Sequence, residues 1–132
     1  ERRVVAFLDS IVGDADELYL LGDILDYWYE YRNVAPRGYL RFFGALTRMA
    51  DSGVKIHWFI GNHDIWLFDY LRNEIGLEIV DGYVVRDIRG KRFFLPQPGD
   101  TEVLCSHTSA MDSVVCALLV EIVAWLFSRR CP

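Results

Sequence analysis

The sequence has 132 residues, of which 52% are hydrophobic and 25% charged, and its formal net charge is −5. A chain of this size and composition can bury roughly two thirds of its surface, which excludes intrinsic disorder and predicts one domain over residues 1–132. The acidic balance excludes the basic surface that nucleic-acid binding needs, so we expect no nucleic-acid partner, and a phosphorylated substrate would require a bound cation.

The cysteines and the ends of the sequence predict the compartment. The three cysteines form no CxxC pair and fit neither a disulfide framework nor a cysteine zinc site, which favours a reducing, cytoplasmic setting. We expect no signal peptide, because Glu1-Arg2-Arg3 is followed by only a short apolar run that Asp9 interrupts. The apolar run 114–127 contains Glu121 and is short for a bilayer, so we expect a packed or interfacial helix.

Hydrophobic periodicity predicts that helices and strands alternate along the first part of the chain. In chain order these are a helix over 2–12, a strand over 18–21, a helix from Pro36 to about Asp51, and a strand over 56–60. Each strand is mostly apolar and stops at a glycine, as buried strands commonly do.

The later elements are shorter. A helix runs from Ile65 to about Glu74, strands follow over 78–80, 83–88 and 92–95 with a tight turn at Arg89-Gly90, and a loop over 99–112 precedes a helix over 113–128. Together the elements predict an α/β layered fold with helices packed on a mixed β-sheet. We expect it to be incomplete, because the sequence begins without Met and ends abruptly.

Two strand ends carry residues that are suited to chemistry. In open α/β sheets, ligands bind beyond the carboxyl ends of the strands. The first strand leads into Gly-Asp-Ile-Leu-Asp at 22–26 and the second into Gly-Asn-His-Asp at 61–64. Carboxylate and amide oxygens with a histidine nitrogen suit Mn²⁺, Mg²⁺, iron or Zn²⁺, and two such ions can clamp a phosphate.

We predict a role at such a site for four polar residues of these loops. Asp23 would bridge the metal ions, and Asn62 would bind one of them through its amide oxygen. His63 would stabilise charge on the phosphate or protonate the leaving group, and Asp26 would orient the His63 ring. The alternatives are structural: turn residues at Asp23 and Asn62, a loop histidine at His63, and a helix cap at Asp26.

Nearby residues are expected to be structural. Asp64 would cap the helix that starts at Ile65, His57 would be a core or surface histidine within its strand, and His107 would be a loop residue. The aromatic residues of 27–31 would either pack under a loop or meet an acyl chain or a uridine.

The ordered pair of motifs resembles a known superfamily. GDxxD at 22–26 followed by GNH[DE] at 61–64 is similar to the second and third motifs of the calcineurin-like metallophosphoesterases. The stretch ADELYLLGDILDYW at 15–28 resembles the UDP-2,3-diacylglucosamine hydrolase (pyrophosphatase) branch. The resemblance covers residues 1–95 well and residues 96–132 thinly.

This resemblance implies a metal-dependent phosphoesterase with a two-manganese site. Its substrate would be UDP-2,3-diacylglucosamine, a nucleotide-linked glycolipid of lipid A synthesis in Gram-negative bacteria, cleaved at the pyrophosphate to UMP and a lipid X-type monosaccharide phosphate. The enzyme would work in the cytoplasm, peripherally associated with the inner membrane. The alternatives are a general phosphodiesterase or nucleotidase of the same superfamily, and a truncated member that folds without catalysing.

Three motifs of the superfamily do not appear in this sequence. The first, DxH, would precede residue 1; Pro98 stands where a histidine is expected before Gly99-Asp100; and GHxH is replaced by the lone His107. Since metal sites normally need three or more protein ligands, the sequence predicts an incomplete site that binds metal weakly.

Overall fold

The structure, a computed structural model, describes residues 1–88 and 91–95. Its elements are α1 (Arg2–Ile11), β1 (Glu17–Leu21), α2 (Leu40–Asp51), β2 (Lys55–Phe59), α3 (Tyr70–Ile75), β3 (Glu78–Val80), β4 (Val84–Ile88) and β5 (Lys91–Leu95). The alternation of helices and strands confirms the predicted α/β class. The expected turn at 89–90, the loop and helix of 99–128, the cysteines, Pro98 and His107 lie outside the described residues.

The strands form two sheets in this part of the chain. Strands β1, β2 and β3 are parallel, with β2 in the centre, and β4 and β5 form an antiparallel hairpin. Leu21 pairs with Phe59 at the last position of β1 and β2. The carboxyl ends of these two strands therefore lie side by side, which brings the two polar loops together.

The parallel sheet is covered on both faces. Because side chains alternate along a strand, Leu18, Leu20, Ile56 and Trp58 join the core formed with α1, α2 and α3. The alternate residues Tyr19, Leu21 and Phe59 pack with Val80, Val84, Phe93 and Leu95 beneath the hairpin. No helix in the described part of the chain is long and apolar enough to cross a membrane.

Helix α2 begins four residues later than the expected start at Pro36. Gly38 and Tyr39 have φ values of 101° and 58°, in the left-handed region, so the chain cannot be helical before Leu40. Within α2 the buried residues recur every three or four positions, as expected for a helix with one face on the core; they are Phe42, Ala45, Leu46 and Met49.

Helix α3 begins at Tyr70, so the expectation of a helix from Ile65 was wrong. Trp66 instead forms a parallel bridge with Tyr29. The carboxylate of Glu30, only 7% exposed, accepts hydrogen bonds from the backbone nitrogens of Phe68, Tyr70 and Leu71 at 2.6, 3.1 and 3.4 Å. A distant carboxylate thus satisfies the nitrogens at the start of α3 and fixes where the helix begins.

Replacing Glu30 with alanine should lower the free energy of unfolding by about 1–3 kcal/mol, because it leaves one buried and two part-buried backbone nitrogens without an acceptor. Urea unfolding followed by circular dichroism measures the loss. Glu74→Ala, at an exposed position of α3, is the matched control and should change stability little. Equal losses in the two variants would refute a capping role for Glu30.

Candidate metal and phosphate site

Asp23 lies at the end of β1 in an uncommon backbone conformation. Its φ is 49°, in the left-handed region that few residues other than glycine adopt. Gly61 packs so closely against it that a Cβ atom on Gly61 would overlap the backbone nitrogen and carboxylate of Asp23. Glycine at the end of β2 therefore permits the close approach of the two loops.

Asp64 joins the two loops, and this role was missed from the sequence. It is fully buried: Oδ1 accepts from the Gly61 backbone nitrogen at 2.7 Å, and Oδ2 accepts from the Ile24 nitrogen and from Trp58 Nε1, both at 3.1 Å. The expected helix-capping role was wrong, because no helix follows Asp64 directly. The sequence feature that could have revealed this role is Trp58, because a buried indole nitrogen needs a hydrogen-bond acceptor.

The side chains of Asp23 and Asn62 meet at the edge of the sheet. In the amide orientation that satisfies both side chains, the Asn62 nitrogen donates to Asp23 Oδ2 at 3.0 Å and to Asp23 Oδ1 at 3.3 Å. The structure thus brings together the two residues that the sequence selected as metal ligands.

His63 lies between Asp23 and Asp26. Its backbone nitrogen donates to Asp23 Oδ1 at 2.9 Å. Its ring atom Nδ1 lies 2.8 Å from the backbone oxygen of Asp26 and 3.3 Å from Asp26 Oδ1. The structure therefore places all four selected residues together, and Asp26 contacts the His63 ring through both its backbone and its side chain. No helix begins between residues 22 and 38, where a cap at Asp26 would have required one.

The contact with Asp26 also affects the charge of His63. The hydrogen bond to the backbone oxygen of Asp26 raises the pKa of His63 above its ordinary value of 6.5, and the Asp23 and Asp26 carboxylates add to this effect. The folded state thus favours the protonated ring. The resulting stabilisation is fully present below about pH 6.5 and is lost as the pH rises through the folded-state pKa.

We expect the His63 imidazole of the metal-free protein to titrate above pH 6.5 in proton–nitrogen correlation spectra. Asp26→Ala should lower this pKa only in part, because the backbone oxygen, which is the largest cause, remains. An Asp26→Ala variant whose His63 pKa returns to about 6.5 would assign the shift to the carboxylate instead.

Exposed and half-buried aromatic rings cluster on the two segments that follow Asp26 and Asp64. Tyr27, Tyr31 and Phe68 are 59%, 57% and 55% exposed. Trp66 contacts the rings of Tyr27 and Tyr29 at centroid distances of 5.5 and 5.8 Å. We call these five residues the aromatic surface. Trp28, in contrast, is fully buried against Tyr39, Phe43 and Tyr70, so the packing interpretation is confirmed for it.

The donor atoms fit a hard cation in kind. The Asp23 carboxylate and the Asn62 amide can each supply an oxygen ligand of the type that Mg²⁺ and Mn²⁺ prefer. These two side chains supply two ligands. Across residues 1–88 and 91–95, no group of three or more His, Cys, Asp or Glu side chains could hold a metal ion. The described residues therefore supply part of a metal site.

Comparison with known proteins adds a consistent set of relatives, although no protein-family model matches the chain. The chain is 46% identical over 102 residues to a protein named UDP-2,3-diacylglucosamine hydrolase from Porphyromonas gingivalis, covering 77% of this chain and 38% of that protein. It is 34% identical over 108 residues to one of the same name from Nitrosococcus oceani, covering 82% and 42%. A third, from Aliivibrio fischeri, is 28% identical over 127 residues, covering 95% and 50%.

The chain thus spans between 38% and 50% of the length of these relatives. Over that span the similarity agrees with the resemblance of the GDxxD and GNHD motifs, which the fold places at neighbouring strand ends. The chain belongs to the family of proteins named UDP-2,3-diacylglucosamine hydrolase.

Proposed function

We propose that the protein hydrolyses the pyrophosphate of UDP-2,3-diacylglucosamine to UMP and a lipid X-type monosaccharide phosphate, with Asp23 and Asn62 as ligands of Mn²⁺. The observation that carries the proposal is the meeting of the Asp23 and Asn62 side chains at neighbouring strand ends, beside His63. The names of the relatives support the choice of substrate.

The charge of the chain explains why a cation is needed. With a net charge of −5, the chain repels a pyrophosphate unless positive charge is present at the site. Bound Mn²⁺ supplies that charge and polarises the phosphate oxygens. Asp23 and Asn62 would each contribute oxygen to it, and further ligands would come from water or from residues outside the described ranges.

His63 would supply the proton that the leaving group takes. A water oxygen forms a bond to phosphorus and releases its proton to the surrounding solvent, the bond from phosphorus to the bridging oxygen breaks, and that oxygen accepts a proton from the imidazolium of His63. The raised pKa of His63 keeps more of the ring protonated near neutral pH. Asp26 acts as a positioning residue, since its contacts with Nδ1 leave Nε2 to donate.

The aromatic surface would bind the apolar parts of the substrate. Monomeric proteins rarely expose several large rings together without a binding role, and these rings begin at Tyr27, directly after Asp26. An acyl chain or the uracil ring would cover them. The same contact would bring the protein to the cytoplasmic side of the inner membrane as a peripheral protein, where this lipid-linked substrate resides.

The experiment compares Mn²⁺-dependent turnover of UDP-2,3-diacylglucosamine with that of a simple phosphodiester, bis(p-nitrophenyl) phosphate. We expect faster release of UMP from the glycolipid, and loss of turnover when EDTA removes the metal. Faster cleavage of the simple diester would favour a general phosphodiesterase. Absence of turnover together with absence of bound Mn²⁺ would favour a truncated member that does not catalyse.

A further inference from the structure

Residues 31–41, which connect the aromatic surface to helix α2, have a charge opposite to that of the whole chain. They contain three arginines and no aspartate or glutamate, whereas the net charge of the chain is −5. On most protein surfaces the basic residues are interspersed with acidic ones. A run of one sign therefore indicates a surface that binds an anionic partner. We call residues 31–41 the basic segment.

The basic segment also exposes apolar side chains. Leu40 is 83% exposed, the highest value among the large hydrophobic residues that the structure describes, and Val34 is 67% exposed. A partner made only of polar anions would leave these side chains in water. A bilayer with anionic lipid would bind the arginines through its headgroups and bury the apolar side chains at the boundary with the acyl chains.

The arginines of the basic segment are available to such a partner. Arg32, Arg37 and Arg41 are exposed, and none of them forms an ion pair with another described residue. Arg32 lines a cleft together with Asp69 and Glu74, and these carboxylates offset part of its charge. Arg37 and Arg41 therefore contribute most of the attraction for an anion.

A groove beside the basic segment extends its positive charge. The groove has a volume of about 700 Å³ and lies between α1 and the start of α2, where Arg2 and Arg41 both line it. Its two carboxylates are engaged within the protein. Glu1 accepts from two backbone nitrogens of α2 at 3.0 and 3.2 Å, and Asp9 pairs with Arg48 at 2.6 Å. The charges of Arg2 and Arg41 are thus left for a phosphate group from outside the protein.

We propose that the basic segment docks the protein onto a bilayer surface that contains anionic lipid. Arg37 and Arg41, with Arg2 in the adjoining groove, bind the phosphate groups of the lipid headgroups. Val34 and Leu40 enter the boundary between the headgroups and the acyl chains.

A bilayer suits this surface better than a nucleic acid does. The backbone of a nucleic acid carries a charge at every nucleotide, so it would also approach the acidic remainder of a chain with a net charge of −5. A bilayer contacts one face only and can bury Leu40 as well. Because Tyr31 belongs to both the basic segment and the aromatic surface, docking would also bring the aromatic surface to the bilayer.

The test is co-sedimentation of the full chain with two kinds of vesicle, phosphatidylcholine alone and phosphatidylcholine with about one third phosphatidylglycerol. The wild type should bind the anionic vesicles at least roughly tenfold more tightly, because each arginine near an anionic surface contributes about fivefold in affinity. Arg37→Gln/Arg41→Gln should bind them at least roughly tenfold more weakly than the wild type. The matched control, Arg72→Gln/Arg92→Gln, removes the same net charge from exposed positions outside the basic segment and should bind as the wild type does.

Two further measurements separate the apolar contribution from the electrostatic one. Leu40→Ser should weaken binding to the anionic vesicles and leave its dependence on salt unchanged. Raising the salt concentration from about 0.05 M to about 0.5 M should weaken binding of the wild type at least roughly tenfold, because salt screens the attraction between arginine and phosphate.

Equal binding of the wild type to both kinds of vesicle would overturn the proposal, and so would equal losses in the two double variants. Tighter binding to single-stranded RNA than to anionic vesicles would assign the basic segment to nucleic acid instead. If Arg37→Gln/Arg41→Gln fails to fold, Leu40→Ser takes its place, and unchanged binding in that variant would contradict the proposal. No measurement uses metal or substrate, so the result is independent of the proposed hydrolase activity.

Discussion

Replacing Asp64 with alanine should cost about 3–6 kcal/mol of folding free energy and leave much of the chain unfolded, since small domains are stable by only about 5–15 kcal/mol. The substitution removes the acceptor of three donors: the buried Gly61 backbone nitrogen, the buried indole nitrogen of Trp58 and the part-buried Ile24 backbone nitrogen. Each donor left unsatisfied costs about 1–3 kcal/mol. Urea or thermal unfolding measures the loss.

Two further variants make the interpretation specific to Asp64. Asp64→Asn keeps the shape and one oxygen acceptor, so it should destabilise less than alanine does. Asp81→Ala removes an exposed carboxylate and should change the free energy of unfolding by less than about 0.5 kcal/mol. If Asp64→Ala lowered stability no more than Asp81→Ala, the buried hydrogen bonds would not be what holds the two loops together.

Substituting Asn for Asp23 should reduce Mn²⁺-dependent hydrolysis at least roughly 100-fold, because bound metal contributes several kcal/mol to stabilising the transition state. Asparagine is the suitable replacement. It tolerates the φ of 49° at this position and can still accept the hydrogen bond from the His63 nitrogen. The loss would therefore reflect the missing negative charge rather than a change of backbone.

The control for Asp23→Asn is Asp26→Ala. Asp26 contacts the His63 ring and lies outside the proposed ligand pair, so its loss should reduce turnover while leaving Mn²⁺ affinity close to that of the wild type. Unfolding curves of both variants verify that they are folded. Undiminished turnover in Asp23→Asn would contradict the assignment of Asp23 as a metal ligand.

The strands and the two polar loops could be predicted because their signals are local. Leu18 to Leu21 and Ile56 to Ile60 are short apolar runs that end at glycines, and parallel pairing then brings Asp23 and Asn62 to the same edge of the sheet. On this basis Asp23 and Asn62 were selected as metal ligands, and that role stays a prediction. The pair of motifs then indicated the type of reaction that the site would catalyse.

The remaining features depend on residues that are far apart in the sequence. Helix α3 begins at Tyr70 because Glu30, 40 residues earlier, accepts its backbone hydrogen bond. Asp64 accepts from Ile24, also 40 residues away, and His57 contacts Glu78, 21 residues away. A single sequence shows the polarity of these residues but not their partners. It therefore does not distinguish a buried carboxylate that links two loops from one that caps a helix.

Direct binding of Mn²⁺, followed by electron paramagnetic resonance of the free ion, tests the proposed metal site without requiring turnover. We expect the wild-type chain and Asp81→Ala to bind Mn²⁺ with equal affinity, and Asp23→Asn and Asn62→Ala to bind it at least roughly tenfold more weakly. Equal affinity in all four chains would contradict the assignment of Asp23 and Asn62 as metal ligands, and with it the proposed phosphoesterase site.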